Sequence, residues 1–476
     1  MRVQIQVLSE SEKTQVHERS LNILAKTGVR VDTERGRRIL HAAGASVDES
    51  NHMVRLPPTL VEEALRLAPR EFSLGGRRPG FSLPMNAGNS YLLADGGAVR
   101  VHDSITGERR PGTYADWLKA TRLLEALDDV SIYWQMVEAG LTSDTPGDFV
   151  AYWCALYSNY SKHIQEYVNR PDLTPWLLEV LQTVFGGKET VSRIHPISFL
   201  LCPFSPLVIE GQYTDAYLET TGWNIPAVLM PMPLMGTTSP ASLISTILLG
   251  NCEVLAMLCL VQAACPGTPA IYAPMLAVID PHSGQYNGGA VEHCLLGVGA
   301  TEMARYYNLP VEAEAGGSDA PVPGIQAGYE RALNWELPTL ARPDILVGPG
   351  LLGGSTVLCL EQLMIDLEMA RCCQRIAHGI DTAEDKWLDD VIASVGPGGS
   401  FLTQRSTRDS VRAGEWYFPQ MGFHDSFEHW VSSGRHDLLE EARLKIEKIL
   451  SADPPNPPDE PVLRELQRIE KRARCR

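Results

Sequence analysis

The chain has 476 residues, 44% hydrophobic and 21% charged, with 40 glycines and 33 prolines: ordinary globular composition with apolar mass for a sizeable core. At about 150 residues per domain this length suggests roughly three units, although an α/β barrel would absorb most of it as one. Forty-one basic against 58 acidic residues leave a formal net charge of −17, which argues against nucleic acid or an anionic membrane surface as partner.

The N-terminal MRVQIQVLSESEK lacks the apolar core of a secretory signal, so a cytoplasmic location is expected. Ser9 and Glu12 have capping-box spacing and open a helix through Val16, Leu21 and Leu24 that stops at Gly28. A second helix is predicted from Asp32 towards Gly44, and a third from a box at Thr59 and Glu62 after Pro57-Pro58. Between Phe72 and Asp103 short extended runs, Tyr91-Leu92-Leu93 and Val99-Arg100-Val101, are split by glycines and suggest hairpins.

From Thr113 onward long helices alternate with short apolar runs lacking period-2 alternation, as expected of strands buried on both faces of a parallel sheet. The predicted strands are Ile197–Leu201, Ala227–Met230, Ala270–Tyr272, Val311–Ala315 and Ile345–Val347, each followed by a polar or glycine-rich loop and a helix. Ser239-Pro240 is placed as the cap of a helix over 241–264 and Ser355 as the start of one ending at His378-Gly379. The rhythm means a doubly wound sheet or a (β/α)8 barrel, with functional residues just after the strands. The most hydrophobic stretch, 243–265, is broken by Gly250, Asn251, Glu253 and Gln262 and reads as a buried helix. Beyond residue 395 come an aromatic-rich arm, a charged helix from about Asp437 to Leu450, the stiff linker ADPPNPPDEP and a basic amphipathic tail of the kind that clasps a neighbouring subunit. The expected division is 1–110, an N-terminal α+β extension; 111–395, the barrel; and 396–476, a C-terminal arm and helical tail.

Several motifs admit a functional and a structural reading. The ten cysteines include no C-x-x-C and no metal-like quartet, so reduced core thiols fit them and no bound metal is expected. Gly348-x-Gly350-x-x-Gly353 has the outline of a dinucleotide fingerprint, but Pro349 stiffens the turn and the acids that follow lie within a helix. A rim loop offering backbone N–H groups to an anion, and a plain turn, both remain open. Phe149, Tyr152, Trp153, Tyr157 and Tyr160 form one helix stripe, either core or, with Tyr167 or Tyr272, an aromatic box for a quaternary ammonium ion. Asn251 and Glu253 inside an apolar helix must meet a partner, water or ligand. Glu361 and Glu368 share a helix face, and Asp319 sits in the post-strand loop GGSDAPVPG, either as a functional residue or as a turn former. No G-x-S-x-G, P-loop or H-E-x-x-H motif is present.

From the middle onward the sequence resembles the trimethylamine methyltransferase superfamily, corrinoid-dependent enzymes that include glycine betaine methyltransferases. The resemblance rests on FSPL (204–207), IPAVLMPMPLMGTTSPASL (225–243), GNCEVLAMLCLVQAACPGTPAIYAP (250–274), GG-S-D to QAGYERAL (316–333), ILVGPGLL to LEQLMIDLE (345–368) and GIDTAEDKWLDDVIASVGPGGSFLTQRST (379–407). It implies a TIM-type (β/α)8 barrel that moves a methyl group from a methylated amine to Co(I) of a corrinoid (cobalamin) held by a separate carrier protein. The family's trimethylamine enzymes contain pyrrolysine, which this sequence lacks, so the resemblance points to the branch acting on quaternary amines such as glycine betaine. Ser400 and Ser406 stand where histidines are common in the family. The substrate site is expected at the barrel mouth: Tyr272 after one strand, Gly317, Asp319, Gln326 and Tyr329 after another, Gly350 and Glu361 after a third. A homo-oligomer is expected. The alternatives are a betaine-binding barrel without catalysis and a corrinoid-independent barrel enzyme acting on a small methylated compound.

Overall fold

The computed structural model describes residues 5–138, 145–435, 437–452 and 454–475. Eight short strands form one parallel sheet: β1 (Tyr91–Leu93), β2 (Val130–Tyr133), β3 (His163–Glu166), β4 (Ile197–Leu201), β5 (Ala227–Leu229), β6 (Ala270–Tyr272), β7 (Glu312–Glu314) and β8 (Ile345–Val347). Each pairs with its sequence neighbours, β8 pairs with β1, and a bridge between Tyr272 and Val311 joins β6 to β7, which closes a (β/α)8 barrel. Parallel neighbours need a crossover, supplied by α1 (Tyr114–Ala126), α2 (Pro146–Asn159), α3 (Thr174–Phe185), α4 (Gly211–Leu218), α5 (Leu243–Ala264), α6 (Glu292–Tyr306) and α7 (Ile325–Ala341), and α8 (Leu360–His378) follows the last strand.

Side chains alternate across the barrel wall. Leu93, Ile132, Leu200, Val228, Ile271, Ile345 and Val347 fill the lumen, while Leu92, Tyr133, Phe199, Leu229, Tyr272 and Leu346 face the helices. The hairpin Ser73–Gly75 with Ser82–Pro84 contributes Leu74, Leu83 and Met85 to the lumen cluster, and its Gly75 carbonyl meets His163 Nδ1 at the start of β3. This hairpin therefore plugs the N-terminal end of the barrel.

The five predicted strands all lie in the barrel, but Tyr91–Leu93 is its first strand and not part of a hairpin. The barrel sheet thus begins upstream of residue 111. The error has a physical source, since a three-residue strand flanked by glycines carries the same signal in a hairpin and in a barrel. Three predicted helix starts also shift. Pro58 occupies the first turn after Pro57, so Thr59 is not a cap; Ser242 precedes α5; and Cys359 precedes α8. Ser355 instead sits in the turn of a hairpin, Leu351–Leu352 with Val357–Leu358.

Helix α5 is long and apolar enough to cross a membrane by composition, yet it is mostly buried, packing against the N-terminal helices Glu10–Lys26, Glu34–Ala42 and Pro58–Leu67. The last helix, Glu460–Arg474, lays Leu466, Ile469 and Ala473 onto α2 and α3 of its own chain, so the apolar face expected to clasp a neighbour is already covered. The arm before it leaves Trp416, Phe418 and Phe427 exposed.

At the C-terminal end of the barrel a fully buried ion pair ties two loops together. Arg331 on α7 stands 2.8 Å from Asp366 on α8 and donates to the carbonyls of Gly316 at 2.6 Å, Gly348 and Leu351. Asp366 also accepts the Gly350 amide at 2.8 Å and the Gln362 amide at 2.7 Å. Burial pushes the Asp366 carboxyl up to about 6 although Arg331 pulls it down. Arg331→Met should lower stability by about 3–5 kcal/mol because it strands a buried carboxylate, and adding Asp366→Leu should recover only part of that loss because the carbonyls of Gly316, Gly348 and Leu351 stay unpaired. Urea denaturation of both variants measures the difference.

Candidate active site

A cavity of about 400 Å³ lies at the C-terminal ends of the strands, lined by residues that follow six of them. Asp95 and Gly96 follow β1, Trp134 follows β2, Met232 and Leu234 follow β5, Met275 and Ala277 follow β6, Glu314 ends β7 with Ala315 after it, and Gly348 follows β8. Tyr286, Gly354 and Ser355 reach in from longer loops. Strand alternation aims Glu314 inward, the same direction as Glu312 two residues earlier, whose carboxylate meets the Gln165 amide at 3.0 and 2.9 Å deeper in the barrel.

The walls are apolar and aromatic. A Cβ on Gly96 would stand 2.5 Å from the Trp134 ring, so the glycine lets the indole lie flat against the loop after β1. Gly348 has φ +152° and a Cβ there would collide with the Ala315 carbonyl, so only glycine allows the loops after β7 and β8 to touch.

Two carboxyl groups stand among these walls. Glu314 accepts the Tyr286 hydroxyl at 2.8 Å and lies 3.6 Å from His293 Nδ1, an ion-pair distance longer than a hydrogen bond. On the far side of the ring the Val278 amide donates to His293 Nε2 at 3.4 Å. Burial alone would raise the Glu314 carboxyl, but His293 and the Tyr286 hydroxyl together hold it below the ordinary value, so it stays ionised. Asp95 accepts the Ser355 hydroxyl at 2.6 Å and the Gly96 amide at 2.8 Å. Burial pushes its carboxyl up to about 7; the Ser355 hydrogen bond opposes this and the charge of Glu314 adds to it. Among the described residues no three His, Cys, Asp or Glu side chains converge as a metal-binding group. Two carboxyl groups, two aromatic rings and two thioethers give the cavity the chemistry that can hold a soft organic cation.

Of the residues expected at the mouth, Gly317 lines this cavity. Tyr272 does not: with Ile271 in the lumen it must face outward, where its hydroxyl donates to Asn251 Oδ1 at 2.9 Å beside Tyr307. Asp319 accepts the Gly288 and Gly289 amides at 2.8 and 2.9 Å, a loop clamp. Gln326 and Tyr329 both donate to Glu330, at 2.8 and 3.4 Å, and Glu330 also holds the Ser318 hydroxyl and the Asp319 amide. The four predicted residues around Asp319 are thus neighbours, but three of them form a support under the loop after β7. Gly350 is engaged with Asp366. Glu361 accepts from Ser104 and borders a separate polar cleft with His102, Lys119 and Arg443.

The other motifs take their structural readings. The stripe from Phe149 to Tyr160 is buried between α1 and the C-terminal helix, with the Tyr152 hydroxyl on Glu166 at 3.1 Å, and Tyr167 pairs with Tyr213 away from the cavity. Asn251 bonds Ser20 and Tyr307; Glu253 holds Ser205 and the Leu207 amide; Glu368 holds Tyr417 of the arm. The amides of Gly350, Gly353 and Gly354 all donate within the chain, which removes the anion-loop reading. Ser400 and Ser406 lie in the arm, outside the cavity lining. Sequence reasoning missed Asp95, Trp134, Tyr286 and Glu314. The two acids of VEAEA at 311–315, one residue apart in an otherwise apolar strand, were the available signal.

Trp134→Leu should weaken binding of tetramethylammonium by about 0.5–2 kcal/mol with the fold intact, whereas Tyr272→Phe should cost about 1–3 kcal/mol of stability and leave that affinity unchanged. Calorimetric titration and thermal melting of the two variants separate these effects. A bound cation favours ionised Asp95 and so lowers its pKa from about 7; affinity must then rise with pH through neutrality, with proton release. The facing charged groups are Glu314 and Arg331. Titrations from about pH 6 to about pH 8.5 should show this rise in the native protein and a flat profile in Asp95→Asn.

Residues 2–475 match the family model "Trimethylamine methyltransferase (MTTB)". A trimethylamine methyltransferase MttB of Desulfitobacterium hafniense (strain DSM 10664 / DCB-2) is 28% identical over 467 residues, covering 97% of this chain and 92% of that protein. A glycine betaine methyltransferase of D. hafniense (strain Y51) is 27% identical over 452 residues, 94% and 92% of the two chains. The crystal structure of the hydroxylamine MtmB complex superposes with a TM-score of 0.50 at 9% identity, covering 98% of this chain and 92% of that one, a likeness of fold. The barrel and the match along nearly the whole length agree: the chain belongs to the trimethylamine methyltransferase family.

Proposed function

We propose that this protein transfers a methyl group from a quaternary ammonium compound to the Co(I) of a corrinoid presented over the barrel mouth by a separate carrier protein. The observation that carries the donor assignment is the pair of carboxyl groups, Glu314 and Asp95, in an otherwise apolar, aromatic cavity at the C-terminal rim. A cation entering between these two acids would offset the cost of burying their charge. The corrinoid supplies a strong nucleophile; the tasks left to the chain are to desolvate the cation, aim one methyl group outward and hold it still. Glu314 and Asp95 offset the lost hydration, the faces of Trp134 and Tyr286 attract the positive charge, and Met232 and Met275 fill the space around the methyl groups.

In the reaction one C–N bond breaks, its electron pair stays on nitrogen, and a neutral tertiary amine leaves. No proton needs to be delivered, in keeping with a cavity whose hydroxyl groups, on Tyr286 and Ser355, already donate to Glu314 and Asp95. Trimethylamine, mostly protonated at neutral pH, is a poor electrophile, and the chain has no pyrrolysine to activate it. The reading includes a cytoplasmic location and a homo-oligomer, the latter supported by the exposed Trp416, Phe418 and Phe427. Incubation with a panel of methylated amines and cob(I)alamin, followed by absorbance, should show turnover of quaternary donors, faster with a carrier protein. Glu314→Gln should lower kcat/KM by about tenfold or more, a loss of at least ~1.4 kcal/mol. Trimethylamine outperforming every quaternary donor would refute the assignment.

A further inference from the structure

We infer that the donor carries no carboxylate: the cavity selects a quaternary ammonium cation whose remaining substituent is uncharged, and it rejects zwitterionic betaines. The inference rests on the quaternary-amine reading above and sharpens it.

The lining holds two acids, Asp95 and Glu314, and no lysine, arginine or histidine among the described residues. A betaine brings its own carboxylate, in glycine betaine a single methylene from the nitrogen, so cation and anion enter one cavity of about 400 Å³ together. The anion then meets Glu314 at close range in a medium that screens poorly, and it loses its water with no cationic partner.

The nearest basic groups are committed elsewhere. Arg331 lies beneath the loops after β7 and β8, on the carbonyls of Gly316, Gly348 and Leu351 and on Asp366. His293 stands behind Glu314, with Nδ1 towards that carboxylate and Nε2 under the Val278 amide. Several neutral donors of the lining that could hold a carboxylate are engaged as well. The Tyr286 hydroxyl donates to Glu314, the Ser355 hydroxyl and the Gly96 amide donate to Asp95, and the Gly348 and Gly354 amides donate to the carbonyls of Leu93 and Ser318. An uncharged tail meets none of these obstacles. A hydroxyl can donate to Asp95, which is acceptor-rich, and an alkyl group can lie against Met232, Leu234 and Met275.

The test is direct binding to the full-length native protein, by calorimetry, of tetramethylammonium, choline, glycine betaine and the neutral isostere of choline in which a quaternary carbon replaces nitrogen. Choline and tetramethylammonium should each bind at least about tenfold more tightly than glycine betaine. Glu314→Gln should narrow that gap, because it removes attraction for the cation and repulsion of the carboxylate together. Glycine betaine binding as tightly as choline, or more tightly, would overturn the inference while leaving the quaternary-amine reading intact. The neutral isostere binding as well as choline would overturn the reading beneath it. Because the panel needs no variant, a Glu314→Gln protein that fails to fold does not weaken the result.

Discussion

The mouth of this barrel depends on one buried charge, the guanidinium of Arg331. Three backbone carbonyls, from Gly316, Gly348 and Leu351, turn towards it, and Asp366 neutralises it. Those carbonyls belong to the loops after β7 and β8, the loops that place Glu314, Gly317 and Gly348 around the cavity. A lysine could not replace it, because a point charge lacks the planar fork that reaches several acceptors at once. Gly348 completes the arrangement by letting the two loops touch where any side chain would separate them.

The electrostatics of the lumen show how environment divides two identical residues. Glu312 and Glu314 project from the same face of β7, yet burial pushes Glu312 up to about 8, where it is largely a neutral acid against the Gln165 amide. Glu314 stays charged because a tyrosine hydroxyl and an imidazole face it. The deeper glutamate is therefore a hydrogen-bonding group of the barrel interior and the outer one faces the cavity, a division that neither residue type nor spacing could reveal.

Much of the architecture was legible in the sequence because buried parallel strands leave apolar runs, as at Ile197–Leu201 and Ile345–Val347. Tyr91–Leu93 escaped recognition because three residues between glycines carry too little pattern to declare their partners. The site was harder to read. Tyr272 was a reasonable choice for an aromatic cage, being a tyrosine at a strand end, but the pleat turns it outward, and a strand of three residues does not announce which parity faces the lumen. The residues around Asp319 lie together beside the cavity, and Glu330, which organises them, lies one helical turn from Gln326 and looks like a surface acid in sequence. Trp134 and Asp95 follow strands too short to be weighed, and Tyr286 reaches the cavity from a loop.

The hairpin that fills the far end of the barrel gives the molecule a sense of direction. With Leu74, Leu83 and Met85 seated among the lumen side chains and Gly75 bound to His163, the interior is a blind well with its opening at the rim. Reactant and spent amine then share one doorway, and a protein resting on the rim would act as its lid. Departure of that lid, and not only the breaking of a bond, would set when the well is emptied and refilled.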